Sequence, residues 1–254
     1  MKVSSLARWM AGLSLAAATI ATAEPVAVHV PETPGKRALV LRSLDARILA
    51  QGAVTVTARD GRTTSQVVFH FTDGSVHDET TEFTQNDVFR LLSYRLLQKG
   101  PAFPQSLVMT LDTKTGRASV RHSAGNGAER VEEETLALSS DVANGMMVPL
   151  LKNLSPTTAS AAASWVAATP KPRYVKLAIS NAGSEPSPSA GSDRRATHYV
   201  VKAQIGGLPG VLAPLVGKQP PDTHVWILEG AAPAFLKSEG PLYVGGPAWR
   251  IEVP

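Results

Sequence analysis

The strongest constraint in the sequence is a pair of Asp-Gly dipeptides set in alternating β-type sequence. Residues 53–83, AVTVTARDGRTTSQVVFHFTDGSVHDETTEF, place Asp60-Gly61 and Asp73-Gly74 between runs rich in Val, Thr and Phe. Asp-Gly between such runs is a strong hairpin signal, because a type I′ turn needs positive φ at both central residues. The segment therefore predicts a three-stranded meander that turns at these two positions.

Short strands and hairpins are also predicted in most of the rest of the chain. Residues 87–98 fit either a strand or a helix, and the hairpins on both sides favour a strand. A further hairpin has its loop at Asp112–Gly116, and short strands are expected near 128–139, 173–180, 196–205 and 223–253. One helix is predicted over 141–154, with Ser139 or Ser140 as its cap and a kink from Gly145 and Pro149.

These ten or eleven strands, with tight turns and no βαβ alternation, predict a mainly β fold. We expect a curved antiparallel sheet or half-barrel with one or two short helices, and a β-sandwich is the alternative. The domain is expected to span residues 38–254. It follows a flexible N-terminal arm at 24–37 and contains a mobile Pro/Ser-rich loop at 181–193.

The first 23 residues have the pattern of a secretory signal peptide. Lys2 and Arg8 precede an apolar run from Trp9 to Ile20, and Ala21-Thr22-Ala23 provides a small-x-small cleavage motif. The apolar run is too short for a membrane span, which needs about 20 residues. We therefore predict an exported protein without a membrane span after cleavage, located in the periplasm or, alternatively, outside the cell.

Composition excludes several classes of site. The chain has no cysteine, so disulfides, thiolate metal sites, thiol nucleophiles and a lipid-anchor cysteine are ruled out. Two of its 25 Lys and Arg lie in the signal peptide, which leaves the mature chain near neutrality. Without a basic run, nucleic acid is not an expected partner. No sequence motif indicates a cofactor or a catalytic residue.

A histidine pair is the clearest candidate for a metal site. If Asp73-Gly74 is a two-residue turn, His70 lies directly opposite His77, with Cβ atoms about 5 Å apart. Two imidazoles at that separation can bind Zn²⁺ or Cu²⁺, and Glu79 would be the third ligand on that face. The alternative is an ordinary polar outer face.

Residues 215–230, LVGKQPPDTHVWILEG, are the second candidate region. Gly217-Lys218 is not a phosphate loop, because Gln219 follows and Leu212 replaces the first glycine. The two prolines predict a rigid corner before a strand on which His224 and Trp226 share one face, with Trp226 turned inward. We expect Trp226, His224, Met146 and Leu150 to contact a ligand.

Four long segments, residues 91–120, 141–154, 167–179 and 217–252, resemble a family of exported bacterial proteins that has no assigned activity. The order of a long meander, a helix and further strands is more distantly similar to the LolA/LolB-like lipoprotein carriers. That resemblance implies a curved sheet with an apolar concavity for acyl chains. The missing lipid-anchor cysteine departs from the anchored members of that group.

Together these features predict a soluble envelope protein that binds an apolar ligand such as a lipid or acyl chain. Helix 141–154 and the apolar connection 206–217 would form its lid and inner wall. One alternative is a structural or protein-interaction module with a filled interior. Another is a metal-dependent hydrolase, which requires at least three of His70, His77, Asp222 and His224 to converge.

Overall fold

The computed structural model describes residues 25–123, 127–187, 191, 193–204 and 220–254. They form one short helix, α1 (Met147–Lys152), and fourteen strands. The strands are β1 (Gly35–Ser43), β2 (Ile48–Arg59), β3 (Arg62–Phe71), β4 (Val76–Gln85), β5 (Phe89–Lys99), β6 (Leu107–Asp112), β7 (Arg117–Ser123), β8 (Glu129–Thr135), β9 (Ser160–Ala167), β10 (Arg173–Pro186), β11 (Arg195–Gln204), β12 (Thr223–Leu228), β13 (Ala234–Pro241) and β14 (Ala248–Glu252).

All fourteen strands belong to one antiparallel sheet built from two meanders. The first meander runs outward from β1 to β8, one strand beside the next. The chain then crosses to the far edge, and the second meander returns from β9 to β14, which pairs with β1. Because sequence neighbours are spatial neighbours almost throughout, local hairpin signals specify most of this topology.

The sheet curves until its two halves face each other. One buried cluster joins side chains of β4–β7 to side chains of β9–β12, although these strands stand far apart in the sheet order. The edge strands β8 and β9 do not pair with each other in the described part of the chain. The predicted mainly β fold with a curved antiparallel sheet is thereby confirmed.

Residues 139–153, here called the inner segment, cross the concave face between the two halves. Met146, Leu150 and Leu151 are at most 5% exposed and belong to the cluster that joins the halves. The interior is therefore packed around this segment, as expected for side chains at normal core density.

The inner segment also covers the edge of β9. Ala143 N–H donates to the Ser164 carbonyl at 2.8 Å, and Ser164 N–H donates to the Asp141 carbonyl at 3.0 Å. The side-chain amide of Asn144 continues this pairing in the way a peptide group would. Its Oδ1 accepts from Val166 N–H at 2.9 Å, and its Nδ2 donates to the Val166 carbonyl at 2.8 Å. These bonds satisfy an edge that would otherwise carry unpaired backbone groups.

The helix is shorter than the predicted 141–154. It spans only Met147–Lys152, and no side chain caps it. Residues 141–144 cannot be helical because they pair with β9. Gly145 then turns the chain with φ +69, and a Cβ there would lie 1.8 Å from Thr81 Oγ1.

The ambiguous segment 87–98 is a strand, β5, as favoured from the sequence. Asp60-Gly61 also forms the predicted two-residue turn, with φ of 51 and 74 and Arg59 paired with Arg62. The turn at Asp73-Gly74 differs. Phe71 N–H donates to the Ser75 carbonyl at 2.9 Å, which leaves a three-residue loop and shifts the register of β4 by one.

Two boundaries differ from the sequence prediction. Residues 160–167, which carry no clear pattern, form β9, and the small side chains of Ala163 and Ser164 let the inner segment approach closely. Residues 181–186 were predicted as part of a loop but continue β10, with a bulge between Asn181 and Gly183.

Residues 26–32, within the predicted arm, lie along β5 and α1. Val28 N–H donates to the Asp87 carbonyl at 2.9 Å, and Asn153 Oδ1 accepts from the backbone N–H groups of His29 and Val30 at 2.6 Å each. The buried ion pair between Glu32 Oε1 and Lys152 Nζ, at 2.6 Å, completes the attachment.

Some sequence-based predictions fall outside the described residues. These are the signal peptide at 1–23, the apolar connection at 206–217, and residues 188–190 and 192 of the loop predicted at 181–193.

Asn144→Ala tests the edge cover. The substitution leaves the N–H and C=O of Val166 without partners in a buried site, so we expect the free energy of unfolding to fall by about 2 to 4 kcal/mol. Urea titration followed by circular dichroism measures it, with exposed Gln51→Ala as the control. A loss no larger than that of the control would contradict the assigned role.

Candidate functional site

A polar network attaches the inner segment to β9 and β10. Ser164 Oγ donates to Asp141 Oδ2 at 2.7 Å and accepts from Tyr174 Oη at 2.8 Å and Lys176 Nζ at 2.9 Å. Burial alone would raise the pKa of Asp141, but hydrogen bonds from Ser139 and Ser164, together with Lys176, hold it below its ordinary value.

A serine hydroxyl and a lysine amine are in contact in this network, but their surroundings indicate a structural role and not a catalytic one. Ser164 is fully buried, so no substrate can reach its hydroxyl. Burial acts to lower the pKa of Lys176, but Tyr174 and Asp141 raise it overall, so the amine stays protonated and cannot serve as a general base. The described network therefore fixes the inner segment and has no nucleophile.

Two cavities border the inner segment. The first lies beside Met146 and Leu150 and has a volume of about 10 Å³, enough for about one water molecule. The second is an open cleft of about 260 Å³. It is lined by Arg90, Leu91, Thr113, Leu138, Ser139, Ser140 and Val142.

A group of aromatic, imidazole and charged side chains in mutual contact lies on the outer face of the sheet, opposite the core. Val225 and Ile227 of β12 belong to the core, so the alternating residues His224 and Trp226 face outward. His198 of β11 stacks on Trp226, with ring centroids 4.3 Å apart and an interplanar angle of 8°. Lys237 Nζ lies 4.1 Å from the centroid of the same indole.

Two hydrogen bonds and one close contact between a carboxylate and an imidazole link this group into a chain. Trp226 Nε1 donates to Glu185 Oε2 at 3.2 Å, and Glu185 Oε1 lies 3.2 Å from His198 Nδ1. His198 Nε2 in turn lies 2.9 Å from His224 Nδ1. We call Glu185, His198, His224, Trp226 and Lys237 the imidazole–indole cluster.

The two imidazoles of the cluster are hydrogen-bonded to each other and do not have the geometry of a metal centre. Zinc bonds of about 2.0 Å in tetrahedral geometry place two nitrogen ligands about 3.3 Å apart. The 2.9 Å between the two imidazole nitrogens is instead an N–H···N hydrogen bond. Among the described residues, no group of three or more His, Cys, Asp or Glu side chains is arranged to hold a metal ion.

The four residues predicted to contact a ligand fall on both faces. Met146 and Leu150 pack in the interior. His224 and Trp226 meet in the imidazole–indole cluster, so the expectation that Trp226 turns inward is corrected. The indole is only 8% exposed because His198 and Lys237 cover it, and not because it enters the core.

The predicted pairing of His70 with His77 is wrong. The three-residue turn pairs His77 with Phe69 and His70 with Val76, and a shift of one residue places the two histidines on opposite faces. His77 and Glu79 share the inner face, where burial raises the pKa of Glu79 against the opposing effect of its hydrogen bond with Tyr94.

The condition for a hydrolase is not met by the residues named for it. Four strands separate β3, which carries His70, from β12, which carries His224. Asp222 pairs with Lys202 at 3.1 Å. No three of His70, His77, Asp222 and His224 converge.

Sequence reasoning did not identify Glu185, His198 and Lys237. The available signal was a repeated Thr-His at 197–198 and 223–224, since each dipeptide starts an alternating apolar run. The long connection between the two runs hides their register, so the contact between the histidines cannot be read from spacing.

In comparisons with protein-family models, curated proteins and solved structures, nothing matches this chain. Within the described residues, no helix has the length and apolar character needed to span a membrane.

His77 is expected to make stability fall in acid. Its burial lowers the pKa to about 4, and Gln98 Nε2 lies 3.1 Å from Nδ1 while also donating to the Leu242 carbonyl. Between pH 6.5 and 4 the unfolded state binds the extra proton, so the free energy of unfolding falls as the pH falls, by about 2 to 3 kcal/mol in total.

Urea unfolding at pH 7 and pH 4.5 measures this effect. The difference between the two pH values should shrink by that amount in His77→Gln, and His70→Gln, on the exposed face of the same hairpin, is the control. An unchanged pH dependence in His77→Gln would show that this ring is not the titrating group.

Proposed function

We propose that the chain is an exported cell-envelope protein that acts by binding a protein partner, with a structural interior. The signal pattern at residues 1–23 supports export. The observation that carries the proposal is the packed concave face, where the inner segment occupies the place that an apolar ligand would need.

The small size of the cavity beside Met146 and Leu150 favours this function over transport of an acyl chain. Ligand pockets usually enclose about 300 to 1,000 Å³. The cavity beside Met146 and Leu150 has about 10 Å³, which supports a role for these two side chains in the fold.

Exposed aliphatic side chains at one end of the sheet support partner binding. Leu44, Ile48 and Val244 are 51%, 43% and 44% exposed, and we call them the apolar rim. Leu44 and Ile48 flank the β1–β2 turn, and Val244 lies in the β13–β14 connection. The two connections are neighbours because β1 pairs with β14, Ser43 opposite Trp249.

Aromatic rings lie next to the apolar rim in sequence, at Tyr243 and Trp249 of the β13–β14 region. Tyr243 and Trp249 meet with centroids 6.0 Å apart, and Phe103 contacts Tyr243 at 5.6 Å. Exposed aliphatic side chains that lie close together on a surface are typical of interaction sites.

A second candidate function is binding of a small apolar ligand in the open cleft of about 260 Å³. Its lining combines the apolar side chains of Leu91, Leu138 and Val142 with the polar side chains of Arg90, Thr113, Ser139 and Ser140. Such a ligand would be much smaller than a phospholipid.

Photo-crosslinking in intact cells tests the first proposal. A benzophenone amino acid at Leu44 or Val244 should give a discrete crosslinked protein product. The same group at Gln66, exposed on the outer face of β3, should not. Leu44→Ser and Val244→Ser should each weaken the partner complex about fivefold, the cost of truncating an interface side chain by about 1 kcal/mol. Equal products from all three positions would contradict the proposal.

Native mass spectrometry of protein purified without detergent separates the two candidates. Partner binding with a structural interior predicts the mass of the bare chain. A stoichiometric small apolar molecule, lost in Leu138→Arg and kept in the exposed control Val131→Arg, would instead favour the cleft.

A further inference from the structure

The imidazole–indole cluster contains a proton position that its geometry defines. Glu185 Oε1 lies 3.2 Å from His198 Nδ1, and because a carboxylate only accepts hydrogen bonds, this contact favours a proton on Nδ1. In neutral His198 the other nitrogen, Nε2, is then an acceptor. His224 must therefore donate from Nδ1 across the 2.9 Å contact.

This arrangement accepts one added proton but not two. A first proton on His224 Nε2 leaves the N–H···N bond intact and gives the donor a positive charge, which strengthens the bond. A second proton must go to His198 Nε2, where it meets the Nδ1–H of His224. Two donors and two positive charges then face each other, so the contact breaks.

The charges around the pair act in opposite directions. Glu185 on β10 stabilises a protonated His198, whereas Lys237 on β13 opposes it. His224 lies opposite Glu239 in the register of β12 and β13. The carboxylate of Glu239 forms ion pairs with Arg250 at 2.8 Å and Lys237 at 3.6 Å. Asp222 and Lys202 form an ion pair nearby. Burial is the largest effect and lowers the pKa of His198, so the ring is neutral at pH 7.

We propose that His198 and His224 form an acid-sensitive latch between β11 and β12, closed when the two rings share a proton and open when both are protonated. In the open state His198 keeps its contacts with Glu185 and Trp226, and His224 is released from β11. The moving part is therefore the beginning of β12. This inference does not depend on the proposed partner binding.

Nuclear magnetic resonance of the ¹⁵N-histidine-labelled chain tests the latch. At pH 7, long-range ¹H–¹⁵N spectra should show both His198 and His224 protonated at Nδ1. On acidification the two rings should titrate as a coupled pair, each sensing the other's proton. In His224→Gln, which removes the neighbouring charge, the pKa of His198 should shift upward, and His70→Gln should leave both rings unchanged.

Amide hydrogen exchange provides a readout of motion. Exchange at His224 and Val225 should accelerate in acid relative to the β10–β11 amides in the wild-type chain, and this excess should be absent in His224→Gln. Rings that titrate independently, an Nε2–H tautomer at His198 in neutral solution, or equal exchange in wild type and variant would each overturn the proposal.

Discussion

The fold depends on one requirement, which is that an open antiparallel sheet must cover both its apolar face and its exposed edges. The inner segment meets much of this requirement with a single stretch of chain. Met146, Leu150 and Leu151 fill the concave face, while the backbone of residues 141–143 and the side chain of Asn144 pair with β9. Because one segment does both, the sheet can stay open and still have a packed interior.

The opposite edge is protected by charge. β8 reads ERVEEET and is largely exposed, and Glu129, Glu133 and Glu134 pair with Arg121, Arg117 and Lys171. Carboxylates along an edge oppose pairing with another copy of the same strand. At the base of the inner segment, Lys152 and Asn153 bind residues 29–32, so the chain before β1 is attached to the same element that fills the interior.

Much of the architecture was readable from the sequence, because its information is local. The Asp60-Gly61 turn and the alternating runs specify hairpins, and a sheet of two meanders consists almost entirely of hairpins. The incorrect predictions concerned contacts between segments far apart in the sequence, or a strand register that a single loop residue decides. Helix 141–154 was overestimated because pairing of residues 141–144 with β9 overrides their helical pattern, and the extra loop residue at Asp73-Gly74 separated His70 from His77.

For the candidate sites too, only local features were readable from the sequence. His224 and Trp226 were identified because alternation places them on one face. Their partners His198, Glu185 and Lys237 lie on three other strands, and no spacing in the sequence predicts those contacts. Burial of Trp226 by an imidazole and an ammonium group, and not by the core, is likewise a property of the assembled sheet.

The most direct test of this account is the exchange rate of individual amide hydrogens along β9, measured by nuclear magnetic resonance. If the inner segment covers this edge, the amides of Ser164 and Val166 will exchange as slowly as those in the centre of β10 and β11. Exchange of Ser164 and Val166 at the rate of the outward-pointing amides of β8 would mean that the edge is open, and would contradict the position assigned to the inner segment.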